Sequence, residues 1–135
     1  MAYWTARIIL WLVAVCYGIF AFGRVLNMLG MGGFDWATAP LEWQVIDVFY
    51  LAVNIAVVYG FVLLRPIGFM AFFLAVVTQF ALFWAVSPGE GVDGAPIRGA
   101  SVFLSYFVPF HIITVVLVVV ALFLLRRRDR PEPAE

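Results

Sequence analysis

Polar side chains are scarce in the apolar runs of this chain, and five of them are candidates for chemistry. They are Arg24, Asp47, Asn54, Gln79 and His111. The first two carry opposite charges and suit an ion pair, whereas the other three can both donate and accept hydrogen bonds. Polar groups in an apolar setting are costly and usually face the protein interior, so these five residues are the candidate functional set.

The chemistry open to such a set is narrow. His111 is the only histidine and Cys16 the only cysteine, which excludes an internal disulfide, a CxxC redox pair and a bis-histidine haem site within one chain. The sequence has no phosphate-binding loop, nucleophile elbow or HExxH motif. We therefore predict no catalytic residue, no metal and no cofactor held by this chain itself, and contact with a quinone or pigment only through partners.

The composition indicates what surrounds these residues. Of the 135 residues, 66% are hydrophobic and 12% are charged, whereas a soluble domain is about half apolar and about a quarter charged. A soluble fold of this size could not bury so much apolar surface. The formal net charge is zero, which gives no electrostatic footprint for nucleic acid. The predicted partner is a lipid bilayer, and nucleic acid is excluded as a partner.

Four apolar runs approach or exceed the roughly 20 residues that a membrane-spanning helix needs. Because an open sheet would leave backbone groups unpaired in hydrocarbon, the sequence predicts an all-α bundle of four transmembrane helices. The predicted spans are residues 4–29, 43–64, 66–86 and 101–125, which form one domain over residues 1–125. Residues 126–135 are basic and then acidic, and we expect a disordered tail.

Arginines near the ends of the runs predict the orientation, since positive charge is retained on the cytoplasmic side. The arginines concentrate at one set of ends, most densely at Arg126, Arg127 and Arg128. Both termini are therefore predicted to be cytoplasmic, and this cluster is interpreted as a topology signal that attracts anionic lipid. All basic residues are arginine, which suggests a GC-rich genome. The predicted location is the bacterial inner membrane.

Arg24 and Asp47 lie at matching depths in the first two predicted helices. At 1.5 Å per residue they lie about 12 Å and about 10 Å outward of their helix centres. Neighbouring antiparallel helices would bring them together, so we predict an ion pair. In the alternative, each charge extends separately to the head groups. Tyr17 lies on the same helix face as Arg24, and Tyr50 lies on the same helix face as Asp47. Their hydroxyls are candidates to donate hydrogen bonds to the ion pair.

Asn54, Gln79 and His111 lie near the centres of their runs, so three helices place a polar group at the bilayer midplane. One interpretation is a site for a proton, a quinone head group or a small solute. The other is hydrogen bonding between helices, worth about 0.6 kcal/mol per bond. The sequence favours the second interpretation and leaves both open.

Four spans, a polar-aromatic first pair and a basic tail resemble the small bacterial membrane proteins grouped as DoxX-like. The resemblance is one of layout; it implies a quinone-linked oxidoreductase subunit as one alternative and assigns no residue a role. A small transporter or channel with a midplane polar site is another alternative. Because catalytic motifs are missing and aromatic side chains abound (14 Phe, 5 Trp, 5 Tyr), we predict an accessory or structural subunit of a larger membrane complex, respiratory or photosynthetic.

Overall fold

The chain is helical in every regular element of its described part. The computed structural model describes residues 1–31, 35–86 and 98–128. These form α1 (Ala2–Met28), a short 3₁₀ turn (Trp36–Thr38), α2 (Leu41–Val62), α3 (Pro66–Val86) and α4 (Arg98–Arg128). The prediction of an all-α chain with four long helices is confirmed.

Three of the helices are long and apolar enough to cross a membrane, namely α1, α2 and the Val108–Arg126 part of α4. The apolar part of α3, Pro66–Leu82, is shorter. The helix α4 begins before residue 101 and continues past residue 125, so the arginines at 126–128 belong to a helix and not to the tail in which we placed them. Residues 129–135, where we expected disorder, lie outside the described residues.

The helix α1 lies centrally, with α2 packed along one side and α4 along another, while α3 packs on α2. All four helices contribute to one apolar core. Its fully buried side chains include Leu10 and Val13 of α1, Val57 and Phe61 of α2, Phe72 and Ala75 of α3, and Val118 and Ala121 of α4. This core fixes the positions of the four helices, and the helices in turn place the polar candidates.

The hairpin between α2 and α3 depends on two glycines. A Cβ atom on Gly60 would lie 2.1 Å from the backbone nitrogen of Gly68, and one on Gly68 would lie 2.6 Å from the carbonyl carbon of Gly60. Only glycine allows two backbones to approach so closely. Pro66 begins α3 directly after the turn, at the first helical position, where its missing N–H costs no hydrogen bond.

The helices α1 and α2 end in the same hydrogen-bonding pattern, a Schellman motif. At the end of α1, Gly30 has a φ of +73° and the N–H of Met31 donates to the carbonyl of Leu26 at 2.9 Å. At the end of α2 the corresponding residue with positive φ is Leu64, at +54°, and the equivalent bond is 2.7 Å long. Glycine adopts this backbone conformation without strain, whereas leucine does so at a steric cost.

Candidate functional site

An ion pair joins α1 to α2. The guanidinium of Arg24 donates to the carboxylate of Asp47, and the side chains are 24% and 16% exposed. The guanidinium carbon of Arg24 also lies 4.9 Å from the centre of the Tyr50 ring, which is a cation–π distance. The structure thus brings together the two charges that matched in depth. Tyr50 contacts the arginine through the face of its ring.

The Arg24–Asp47 pair and a contact farther along the helices together show how α1 runs against α2. Farther from the connection between the helices, a Cβ atom on Gly18 would be 3.8 Å from Val58, so the helices are antiparallel. Seven residues make two helical turns, about 10.5 Å. One such step from Arg24 and from Asp47 toward the middle of each helix reaches Tyr17 on α1 and Asn54 on α2.

Tyr17 and Asn54 are both 1% exposed. The hydroxyl of Tyr17 and the Oδ1 atom of Asn54 are buried, and neither finds a hydrogen-bond partner among the described residues. The sequence had suggested that the hydroxyl of Tyr17 donates to the Arg24–Asp47 pair. In the structure it does not. Buried polar atoms are paired in most native proteins, so each of these two unpaired atoms calls for an explanation.

The ring of Tyr17 lies where α1 meets α3 and α4. Its centre is 5.7 Å from that of Phe72 on α3 and 6.3 Å from that of Phe110 on α4. Phe61 of α2 in turn lies 5.7 Å from Phe72. These aromatic contacts hold the Tyr17 ring in place and surround it with apolar groups.

A second polar contact joins α3 to α4. The Nε2 atom of His111 lies 2.5 Å from the Oε1 atom of Gln79. Because an amide oxygen only accepts, this contact requires a proton on Nε2. His111 is 2% exposed, Phe80 and Phe110 lie against its ring, and its backbone carbonyl accepts a hydrogen bond from the Thr114 hydroxyl at 3.1 Å.

The three midplane candidates therefore separate into two groups. His111 and Gln79 bond to each other, whereas the Oδ1 atom of Asn54 is unpaired among the described residues. Sequence reasoning undervalued Tyr17, although it lies on the same helix face as Arg24.

Sequence reasoning also missed Gln44. Its Nε2 atom donates to the carbonyls of Trp36 and Ala39, at 3.1 and 3.0 Å. These bonds fasten the connection between α1 and α2 to the first turns of α2. The candidates were polar residues deep within the apolar runs. Gln44 lies near the start of a helix, where polar residues are common, so this criterion did not identify it.

At the far end of the bundle Arg7 lies beside two indole rings of its own helix, 5.6 Å from the centre of Trp4 and 4.9 Å from that of Trp11. Arg126, in the last turn of α4, is exposed. The three candidate lipid-contacting arginines, Arg126, Arg127 and Arg128, thus continue the helix α4.

The chemistry that this arrangement supports is hydrogen bonding and charge pairing. Within residues 1–31, 35–86 and 98–128 no group of three or more His, Cys, Asp and Glu side chains is placed to hold a metal ion. No protein-family model, curated protein or solved structure matches the chain.

Proposed function

We propose that this chain is a multi-pass protein of a bacterial inner membrane, where it serves as an accessory or structural subunit of a larger complex. The observation that carries the proposal is how little of each helix the bundle covers. Of the residues in the most apolar windows of the three spanning stretches, only 22 to 33% are buried. In a membrane the remaining surface faces lipid or other helices. Much of the helix surface of this protein is therefore available for contact with other subunits.

An apolar groove on the outside of the bundle supports this proposal. This open groove lies between α2 and α3 and has a volume of about 780 Å³. Its lining consists of Phe49, Ala52, Val53 and Ala56 from α2 and Ile67, Met70, Ala71, Phe73, Leu74 and Val77 from α3. The groove is open to the surroundings, with Met70 at its rim 72% exposed.

A transmembrane helix of a partner is the occupant that suits this groove. Lipid tails are as apolar as leucine, so helices associate in a membrane through close packing, and small side chains permit the closest approach. Ala52, Ala56 and Ala71 provide such positions on both walls. Met70 has a flexible, polarisable side chain that adapts to an irregular partner surface.

The orientation with both termini in the cytoplasm is part of the proposal. Arg126 is exposed at the end of α4, and Arg7 lies beside Trp4 and Trp11, which are themselves exposed. Tryptophan is enriched at membrane interfaces, and arginine is enriched on the cytoplasmic side. In this orientation the arginines at 126–128 attract anionic lipid.

Purification from the native membrane in a mild detergent, followed by mass spectrometry, tests the proposal. The protein is expected to carry larger membrane subunits in fixed stoichiometry. Ala52→Trp, which fills the groove, should reduce their recovery. Ala81→Trp is the matched control, because Ala81 is also an exposed helical alanine but lies outside the groove. A homo-oligomer free of other subunits, or full recovery with Ala52→Trp, would overturn it.

A further inference from the structure

Arg7 is a cation near the start of α1 whose charge no carboxylate neutralises within residues 1–31, 35–86 and 98–128. It makes no ion pair or hydrogen bond there, and its Nε atom is buried without a partner among these residues. Arg24, in contrast, is paired with Asp47. Because a guanidinium is always charged and carries five N–H donors, Arg7 has unused capacity to bind an anion.

Two tryptophan rings hold this guanidinium in place. Trp4 lies about one turn before Arg7 and Trp11 about one turn after it, with ring centres 5.6 and 4.9 Å from the guanidinium carbon. Both distances are in the cation–π range, and a side chain that is already held loses less freedom when it binds a ligand. Of the three guanidinium nitrogens only Nε is both buried and unpaired, which leaves the two terminal nitrogens open to an incoming anion.

An exposed apolar stripe leads along α1 from this cation toward the other end of the helix. Its members recur at intervals of three and four residues, which places them on one helix face beside Arg7. Their side chains are 44 to 64% exposed, and they are Trp4, Ile8, Trp11, Val15, Ile19 and Phe22. The rise from Arg7 to Ile19 is about 18 Å, whereas one leaflet of hydrocarbon is about 15 Å deep. The stripe is therefore long enough to accompany a lipid acyl chain through its leaflet.

We propose that Arg7, Trp4 and Trp11 form a binding site for a phospholipid whose head group carries a net negative charge. The phosphate oxygens accept hydrogen bonds from the terminal nitrogens of Arg7, and one acyl chain lies along the apolar stripe. The proposal rests on the membrane location in the proposed function and not on partner subunits.

Charge and shape together define this class of ligand. A zwitterionic head group carries its own cation, which offsets the attraction of its phosphate to Arg7. A head group with net negative charge has no such cation and gains the full attraction. Free inorganic phosphate would meet the same guanidinium but has no chain to cover the stripe, so the stripe favours the lipid.

Native mass spectrometry of the full chain, ejected from lipid nanodiscs, tests the proposal. The nanodiscs consist of phosphatidylcholine with a small share of phosphatidylglycerol. Phosphatidylglycerol should be retained on the protein about tenfold above its share of the bilayer, the effect expected of a hydrogen bond to a charged group. Retention of the two lipids in proportion to their shares would overturn the proposal. Displacement of phosphatidylglycerol by excess inorganic phosphate would also overturn it, because the site would then bind a free anion.

Variants of Arg7 separate a built site from general attraction between charges. Arg7→Gln should abolish the enrichment, and Arg7→Lys should retain only part of it, because lysine keeps the charge but lacks the planar fork that fits a phosphate. Arg65→Gln is the matched control, since Arg65 is an exposed arginine at the same end of the bundle, in the turn after α2. An equal loss in Arg65→Gln, or full enrichment in Arg7→Gln, would contradict the site.

Incorporation into the nanodiscs distinguishes the two levels of the proposal. A wild-type chain that does not enter nanodiscs would refute the membrane location itself. A chain that enters them without enriching phosphatidylglycerol would refute the lipid site alone. Circular dichroism of each variant in nanodiscs should match that of the wild type, and Arg7→Lys provides the comparison if Arg7→Gln does not fold.

Discussion

Arg24 contacts Asp47 across the α1–α2 interface, and the ring of Tyr50 lies against the same guanidinium. The charged pair is partly exposed, whereas Tyr17 and Asn54, each two turns farther along its helix, are almost fully buried. The α1–α2 interface thus carries a charged pair near one end, and each of the two helices buries a neutral polar side chain nearer its middle. A slide of one helix along the other by a turn would separate the charged pair.

Replacing one member of the ion pair should destabilise the protein more than replacing both. Arg24→Gln or Asp47→Asn leaves an uncompensated charge, which costs about 3–5 kcal/mol in a fully buried site and less in this partly exposed one. The neutral double variant should recover part of that loss. Unfolding by denaturing detergent, monitored by circular dichroism, measures all three free energies.

The charge-swapped variant Arg24→Asp/Asp47→Arg is the more demanding test of the same pair. It should restore the expression that either single charge reversal reduces, because attraction between the two positions is regained. If the swapped protein expresses no better than the worse single reversal, the pair does not hold α1 to α2.

The fold was accessible from the sequence because hydrophobic run length and helix breaks are local signals. Arg65 and Pro66 mark the turn between α2 and α3, and α3 begins at Pro66 as predicted, whereas α2 ends at Val62, two residues before its predicted end. The close contact of Gly60 with Gly68 was not accessible, since it depends on how two helices cross. The extent of α4 was underestimated because a run of arginines carries no hydrophobic signal, although arginine is a good helix former.

The candidate site could be predicted only in part, because the sequence indicates how deep a side chain lies along its helix but not the direction in which it points. Depth along a helix follows from residue number, and it matched Arg24 with Asp47. Side-chain direction depends on packing, which turns Gln79 toward His111 and leaves Asn54 apart from both. The hydroxyl of Tyr17 could not be placed either, because the aromatic contacts that fix its ring come from α3 and α4.

A Cβ atom at Gly60 should disrupt the α2–α3 hairpin. In Gly60→Ala the new atom would meet the backbone of Gly68 at 2.1 Å, and backbone cannot turn aside as a side chain can. We expect a loss of about 3 kcal/mol or more, at the upper end of the cost of overpacking. Gly23→Ala is the control, since a Cβ there meets nothing within 4 Å, and its stability should be unchanged or higher. Equal stability of the two variants would contradict the close approach.

Gly30 should be sensitive to alanine for a different reason, the backbone conformation. Its φ of +73° lies in the left-handed region, and a Cβ there meets no other atom within 4 Å. Gly30→Ala should therefore cost about 1–2 kcal/mol through backbone strain alone. Hydrogen exchange at the end of α1 is the more specific readout, because a weakened cap should speed exchange of Met31, whose N–H closes the motif. Unchanged exchange there would exclude this explanation.

The contact between Gln79 and His111 should appear as a coupling free energy between α3 and α4. In a cycle of Gln79→Leu, His111→Leu and the double variant, the interaction term is expected to be about 0.6 kcal/mol and no more than about 1.7 kcal/mol, the range found for hydrogen bonds between membrane helices. A cycle of Gln79→Leu with Tyr59→Phe should show no coupling, because Tyr59 is exposed on α2. A value near zero for the first cycle would show that the bond is not formed, whereas a much larger value would show that both side chains share a further polar partner. Either result would change the account of the α3–α4 interface, in which Gln79 is a hydrogen-bond partner of His111.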